Sequence, residues 1–131
     1  MATLKISDLS VGDWVRCRDR NGRIEGLEAI RSDERVRVAV ESYLGTMFLF
    51  VGIEDIEPIL ITPEILEANG IHRTYEDDNY AIFRGDGLWA VKYSDGDWEL
   101  STPPVCRVDI KYVHQLQRAL SLANIDKEIN L

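Results

Sequence analysis

Apolar and polar residues alternate with a period of two through much of the first sixty positions, which predicts β-strands. Over residues 14–20, Val15 and Cys17 point one way and Arg16 and Arg18 the other. Asn21-Gly22 follows. It predicts a tight hairpin turn, because both central positions of such a turn need φ > 0. A return strand is expected over 24–30 and a polar turn over 31–34. Over 35–41, Val36, Val38 and Val40 face inward, and Arg35 and Arg37 face outward. Residues 42–46 turn the chain. Residues 47–51 are apolar throughout, which predicts a central strand or one buried on both faces.

The second half changes period. Thr62 can cap a helix that Pro63 opens, Glu64 complements its dipole and Gly70 ends it. Strands are expected over 80–84, 88–94, 97–101 and 105–110. Gly85-Asp86-Gly87 and Asp95-Gly96 make turns, and Pro103-Pro104 interrupts the ladder. A helix is expected over 111–123, with Tyr112, Val113, Leu116, Ala119, Leu120 and Ala123 on one stripe. His114, Gln115, Gln117, Arg118 and Ser121 lie off that stripe. Asp109 can cap the start, and Asn124 suits a left-handed stop.

The class this defines is α+β. A strongly bent N-terminal antiparallel sheet is followed by a short helix, an antiparallel meander and a C-terminal amphipathic helix. The Gly12-Asp13-Trp14-Val15 opening and the 53–59 close resemble SH3-like barrels, a likeness of fold that carries no function. One domain over 1–131 is expected, β-rich and barrel-like over 1–61. Each half has about sixty residues, near the limit for independent folding, so one shared core is expected.

Two segments are distinctive together. One runs from Glu57 through Thr62-Pro63-Glu64-Ile65-Leu66-Glu67-Ala68-Asn69-Gly70. The other is Lys111-Tyr112-Val113-His114-Gln115-Leu116-Gln117. With Val11-Gly12-Asp13-Trp14-Val15, the chain resembles a family of small bacterial proteins of gut-type genomes, often encoded in prophages and other mobile elements. That family has no assigned activity. The resemblance implies a mobile-element origin and a cytoplasmic setting, and it transfers no functional residue.

Charge narrows the possible partners. The net charge is −8, and it is unevenly placed. Residues 1–40 carry eight basic and seven acidic groups, whereas 41–131 carry seven and sixteen. Such a chain is expected not to bind plain duplex DNA. Seven arginines between Arg16 and Arg37 still leave room for a local basic patch. Cys17 and Cys106 lack metal-ligand spacing and read as reduced, packed thiols of a cytoplasmic protein. The seven apolar residues from Met47 to Ile53 fall well short of the ~20 needed to span a membrane. Residues 1–10 show no apolar h-region, so they are not expected to act as a secretory signal.

The candidate chemistry is sparse. His114 needs an orienting partner and a nucleophile or metal. Cys106 and Asp109 precede its helix, and a helix-surface histidine is the simpler reading. Glu76-Asp77-Asp78, Asp86 and Asp95-Gly96-Asp97, even with Glu99, are better explained as turns than as cation ligands. Trp89, Val91 and Tyr93 share a strand face and read as core. Arg16, Arg18, Arg35 and Arg37 are the candidate partner face. Asp19, Glu25, Glu28, Asp33 and Glu34 lie among them and are expected to neutralise much of it. No metal or cofactor is implied. The expected function is a non-catalytic protein-interaction module with an unknown protein partner. An acidic mimic of nucleic acid that blocks a DNA-binding protein comes second, and a small enzyme built on His114 third.

Overall fold

In the computed structural model the described backbone covers residues 4–30, 33–42, 44–102 and 106–131, and the side chains of these except Ala29, Ile30, Thr102 and Cys106. The expected turn residues Arg31 and Ser32, together with Tyr43, Pro103, Pro104 and Val105, lie outside this set. The chain divides into two compact units, Met1–Ile59 and Leu60–Leu131. The division falls two residues from the change of pattern in the sequence.

The first unit is one antiparallel sheet. Its strands are β1 (Trp14–Cys17), β2 (Arg20–Ile30), β3 (Asp33–Ser42), β4 (Gly45–Gly52) and β5 (Ile56–Pro58), in the order β4-β3-β2-β1-β5. A 3₁₀ turn over Ile53–Asp55 leads into β5, which pairs with β1. β4 and β5 remain as edges, so the barrel does not close among the described residues. The inward face packs Val15, Cys17, Ile24, Val36, Val38, Val40, Val51 and Ile56, with Leu9 beside them.

The first hairpin is not where Asn21-Gly22 placed it. Arg18 and Asp19 take φ of 49° and 63° and make the turn, while Asn21 and Gly22 belong to β2 opposite Arg16 and Val15. The buried face dictates this register. A turn at Asn21-Gly22 would set Val15 opposite Glu28. The observed pairing sets Val15 opposite Gly22, and a bulge between Ile24 and Gly26 then returns Leu27 opposite Val36. Gly22 is buried, and a Cβ there would meet Val38 Cγ1 at 2.5 Å and Val40 Cγ1 at 2.8 Å. Its role is close approach rather than turning.

A second expectation fails at β4. The apolar run is an edge strand, with Met47, Phe48 and Phe50 exposed rather than buried on both faces.

The second unit is a five-stranded antiparallel meander with two helices. The strands β6 (His72–Glu76), β7 (Tyr80–Gly85), β8 (Leu88–Tyr93), β9 (Trp98–Thr102) and β10 (Cys106–Ile110) lie in sequential order. Helix α1 (Pro63–Ala68) forms as its signals require. The Thr62 hydroxyl accepts from Ile65 N–H at 3.2 Å, and Gly70 takes φ of 79°. Helix α2 spans Val113–Leu122, and Asn124 is left-handed. Asp109 does not cap it, being paired with Glu99 in the sheet. Instead Gln115 Oε1 accepts from the N–H groups of Lys111 and Tyr112, at 2.8 and 3.0 Å. Leu66, Ile71, Phe83, Leu88, Leu100, Leu116, Leu120 and Ile129 are the largest fully buried side chains of this unit, and Trp98 is buried with them. Asn69 ties the C-terminal segment down, donating to Asn130 O and accepting from Asn130 N–H.

Candidate interaction surface

The outward face of the first sheet follows from the pleat. Since Val36, Val38 and Val40 point in, Arg35, Arg37 and Ala39 point out. Register then places Trp14, Arg23, Ala39 and Phe48 in one cross-strand row. Gly26, Arg37 and Phe50 make the next row, and Glu28, Arg35 and Gly52 the third. Arg16 shares this face, between Asn21 and Glu57. Arg18 does not, because it sits in the turn. Three of the four expected arginines therefore come together, and Arg23 joins them.

Aromatic rings interleave with these cations. The Arg23 guanidinium lies 5.2 Å from the Trp14 ring centroid, that of Arg37 4.6 Å from Phe48, and that of Arg35 5.7 Å from Phe50. Phe48 and Phe50 are 52% and 54% exposed. A guanidinium over a ring gains roughly 0.5–1 kcal/mol at an exposed site, so these pairs hold the side chains without hiding them. The expectation of a central or doubly buried strand over 47–51 overlooks both phenylalanines. Their shared parity was the available signal, since residues two apart face the same way.

Neutralisation is uneven. Asp33 bonds Arg35 at 3.0 Å, and this bond, with Glu54 and Glu28 nearby, raises its already high pKa. Arg37 lies between Gly26, which has no side chain, and Phe50, and it has no ion pair among the described residues. The expected cancellation therefore holds for Arg35 and not for Arg37.

The other candidates resolve differently. His114 is 5% exposed, not on a solvated helix face. The first turn of α2 is enclosed, so the buried arc takes in Val113 and His114 as well as Leu116 and Leu120. The imidazole stacks on Tyr112, with centroids 5.8 Å apart and planes 8° apart. Burial pushes the Cys17 thiol up, partly offset by Arg18, which leaves it a poor nucleophile at neutral pH. Among the described residues, no group of three or more His, Cys, Asp or Glu side chains is placed to hold a metal ion.

The acidic turns are built from their own carboxylates. Asp77 accepts from the N–H groups of Asn79 and Tyr80 and from the Tyr75 hydroxyl. These bonds lower its pKa, the backbone ones most. Asp95 accepts from Asp97 N–H at 3.0 Å. Trp89 and Tyr93 are exposed rather than core, because Leu88 and Ala90 take the buried face of β8. Arg84 covers Trp89 at 3.6 Å, and Tyr75 and Tyr80 share the same outward surface.

Compared with protein-family models, curated proteins and solved structures, the chain matches none of them. No helix among the described residues is long and apolar enough to cross a membrane.

Proposed function

We propose that this chain is a non-catalytic protein-interaction module of a mobile element, working in the cytoplasm through the outward face of its first sheet. The observation that carries this reading is the exposed pairs Phe48–Arg37 and Phe50–Arg35, with the half-buried pair Trp14–Arg23 beside them, on a packed scaffold. Aromatic residues and arginine are the types that dominate binding energy at protein interfaces, since they bury large area and offer directed bonds. The Gly12-Asp13 opening, the 3₁₀ turn and the β5–β1 pairing support an SH3-like relationship for this unit.

The nucleic-acid mimic draws less support. The second unit carries seven basic and twelve acidic residues, yet Asp77 and Asp95 are engaged in building turns. Plain duplex DNA remains an unsuitable ligand, because the first unit itself carries eight basic and eleven acidic residues.

The test is a photo-crosslinking residue placed at Phe48 and, as control, at Glu64, in the full chain expressed in its native cell. A discrete protein adduct from position 48 alone is expected. Equal labelling from both positions, or none from position 48, would refute the reading.

A further inference from the structure

Four strands form the described edges of the two sheets, and three of them carry the usual protection against pairing with other chains. β5 is three residues long and includes Glu57 and Pro58. β6 carries Arg73 and Glu76, and β10 carries Arg107 and Asp109. β4 has none of these devices. Its eight residues, Gly45–Gly52, include no charge and no proline. An edge of that kind presents free backbone N–H and C=O groups to an added strand.

From this geometry we infer that β4 receives one extended segment of a partner protein, in which carboxylates alternate with apolar residues. This rests on the interaction-module reading and specifies its ligand. Arg37 and Arg35 sit on β3, but their guanidinium groups lie over Phe48 and Phe50 of the edge strand. An added strand would run about 4.8 Å beyond β4, with its outward residues beside those two rings. Arg35 and Arg37 are two residues apart, which is the spacing of successive outward positions on a strand. Carboxylates two apart on the incoming segment therefore meet both cations, and Arg37 is the one without an acidic partner among the described residues. The intervening inward positions meet Met47, which is exposed, and Leu49, which is half-buried. Those positions call for apolar side chains.

Charge decides against a second copy of this chain as the occupant. β4 carries no carboxylate to offer Arg37, and each copy bears a net −8. An acidic segment meets nearer carboxylates as well, Glu41 bonded to Thr46 at one end of β4 and Glu54 beside Gly52 at the other, so its own carboxylates belong between them, beside Phe48 and Phe50, where Arg37 is the cation that Asp33 does not neutralise.

The probe is an eight-residue capped peptide alternating glutamate and valine, titrated into the ¹⁵N-labelled full chain. Its lysine–valine counterpart and two N-methylated versions, one on every glutamate and one on every valine, serve as controls. Expected results are shifts and slowed exchange confined to β4 and its neighbours. Binding should weaken by about tenfold or more in Arg37→Ala and be lost with one of the two N-methylated peptides. Equal binding of the lysine peptide, an unchanged affinity in Arg37→Ala, or no shift in β4 overturns the inference. So does protection of β4 that grows with protein concentration in the absence of peptide, which would assign the edge to a second copy. If position 48 still captures a partner while the peptide fails, only the added-strand inference falls. Loss of capture from position 48 removes the parent reading instead.

Discussion

Arg37 holds its guanidinium 4.6 Å from the ring centroid of Phe48, reaching diagonally from an inner strand to the sheet edge. The contact is possible because Gly26 leaves the other side of Arg37 open and because Phe48 is outside the core. Together they put an exposed cation and an exposed ring where a partner can reach both.

Gly22 should be intolerant of any side chain. A Cβ there meets two valine methyls below 3.0 Å, so Gly22→Ala should cost about 1–3 kcal/mol through overpacking. Val38→Ala removes the nearer methyl and should recover part of that loss in the double mutant. Urea melts of the three variants and the parent check this. If Gly22→Ala were neutral, Asn21-Gly22 would be a solvent-exposed turn after all.

Leu116→Ala and Leu120→Ala should each cost about 2–5 kcal/mol, since both are fully buried on α2. His114→Ala should cost about 1–3 kcal/mol, because it removes a buried ring from the first turn of the helix. Denaturant midpoints give the comparison. A loss below about 0.5 kcal/mol at His114 would return it to a solvated surface.

Tyr75 and Asp77 should titrate as a linked pair. The hydrogen bond to Asp77 holds the proton on Tyr75 and raises its pKa, while Asp77 is lowered by its three donors. The Asp77 contribution to stability is therefore present above the ordinary carboxylate range and lost as pH falls through its lowered pKa. The Tyr75 contribution is present below about 10 and lost as pH rises through its raised value. Asp77→Asn should bring Tyr75 down toward its ordinary value, followed by NMR of ring-labelled tyrosine. No movement of Tyr75 would show that the bond is not made in solution.

The elements most legible in the sequence are those whose signals are local and agree. Helix α1 is written in Thr62, Pro63 and Gly70, and β3 in the alternation of its valines. The first hairpin was not legible, because Arg18 and Asp19 give no left-handed signal and the pairing is set across three strands. β6 shows no period, since all five of its residues are exposed at an edge. The same cause hid half of the candidate surface. An apolar run reads as buried whether it lies at the centre of a sheet or, like Phe48 and Phe50, at its rim. His114 was misplaced because the stripe of an ideal helix does not foresee how far the surrounding chain encloses its first turn.

The most direct test of the interaction surface is the affinity of the partner captured from position 48 for the wild-type chain, for Arg37→Ala and for Trp14→Ala. Arg37 is exposed, so Arg37→Ala should move thermal stability little, whereas Trp14→Ala also removes part of a packed ring. Binding should weaken by about tenfold or more in Arg37→Ala, and by a smaller factor in Trp14→Ala, which is half-buried. Wild-type affinity in both variants would contradict the account and place the contact surface elsewhere on the molecule.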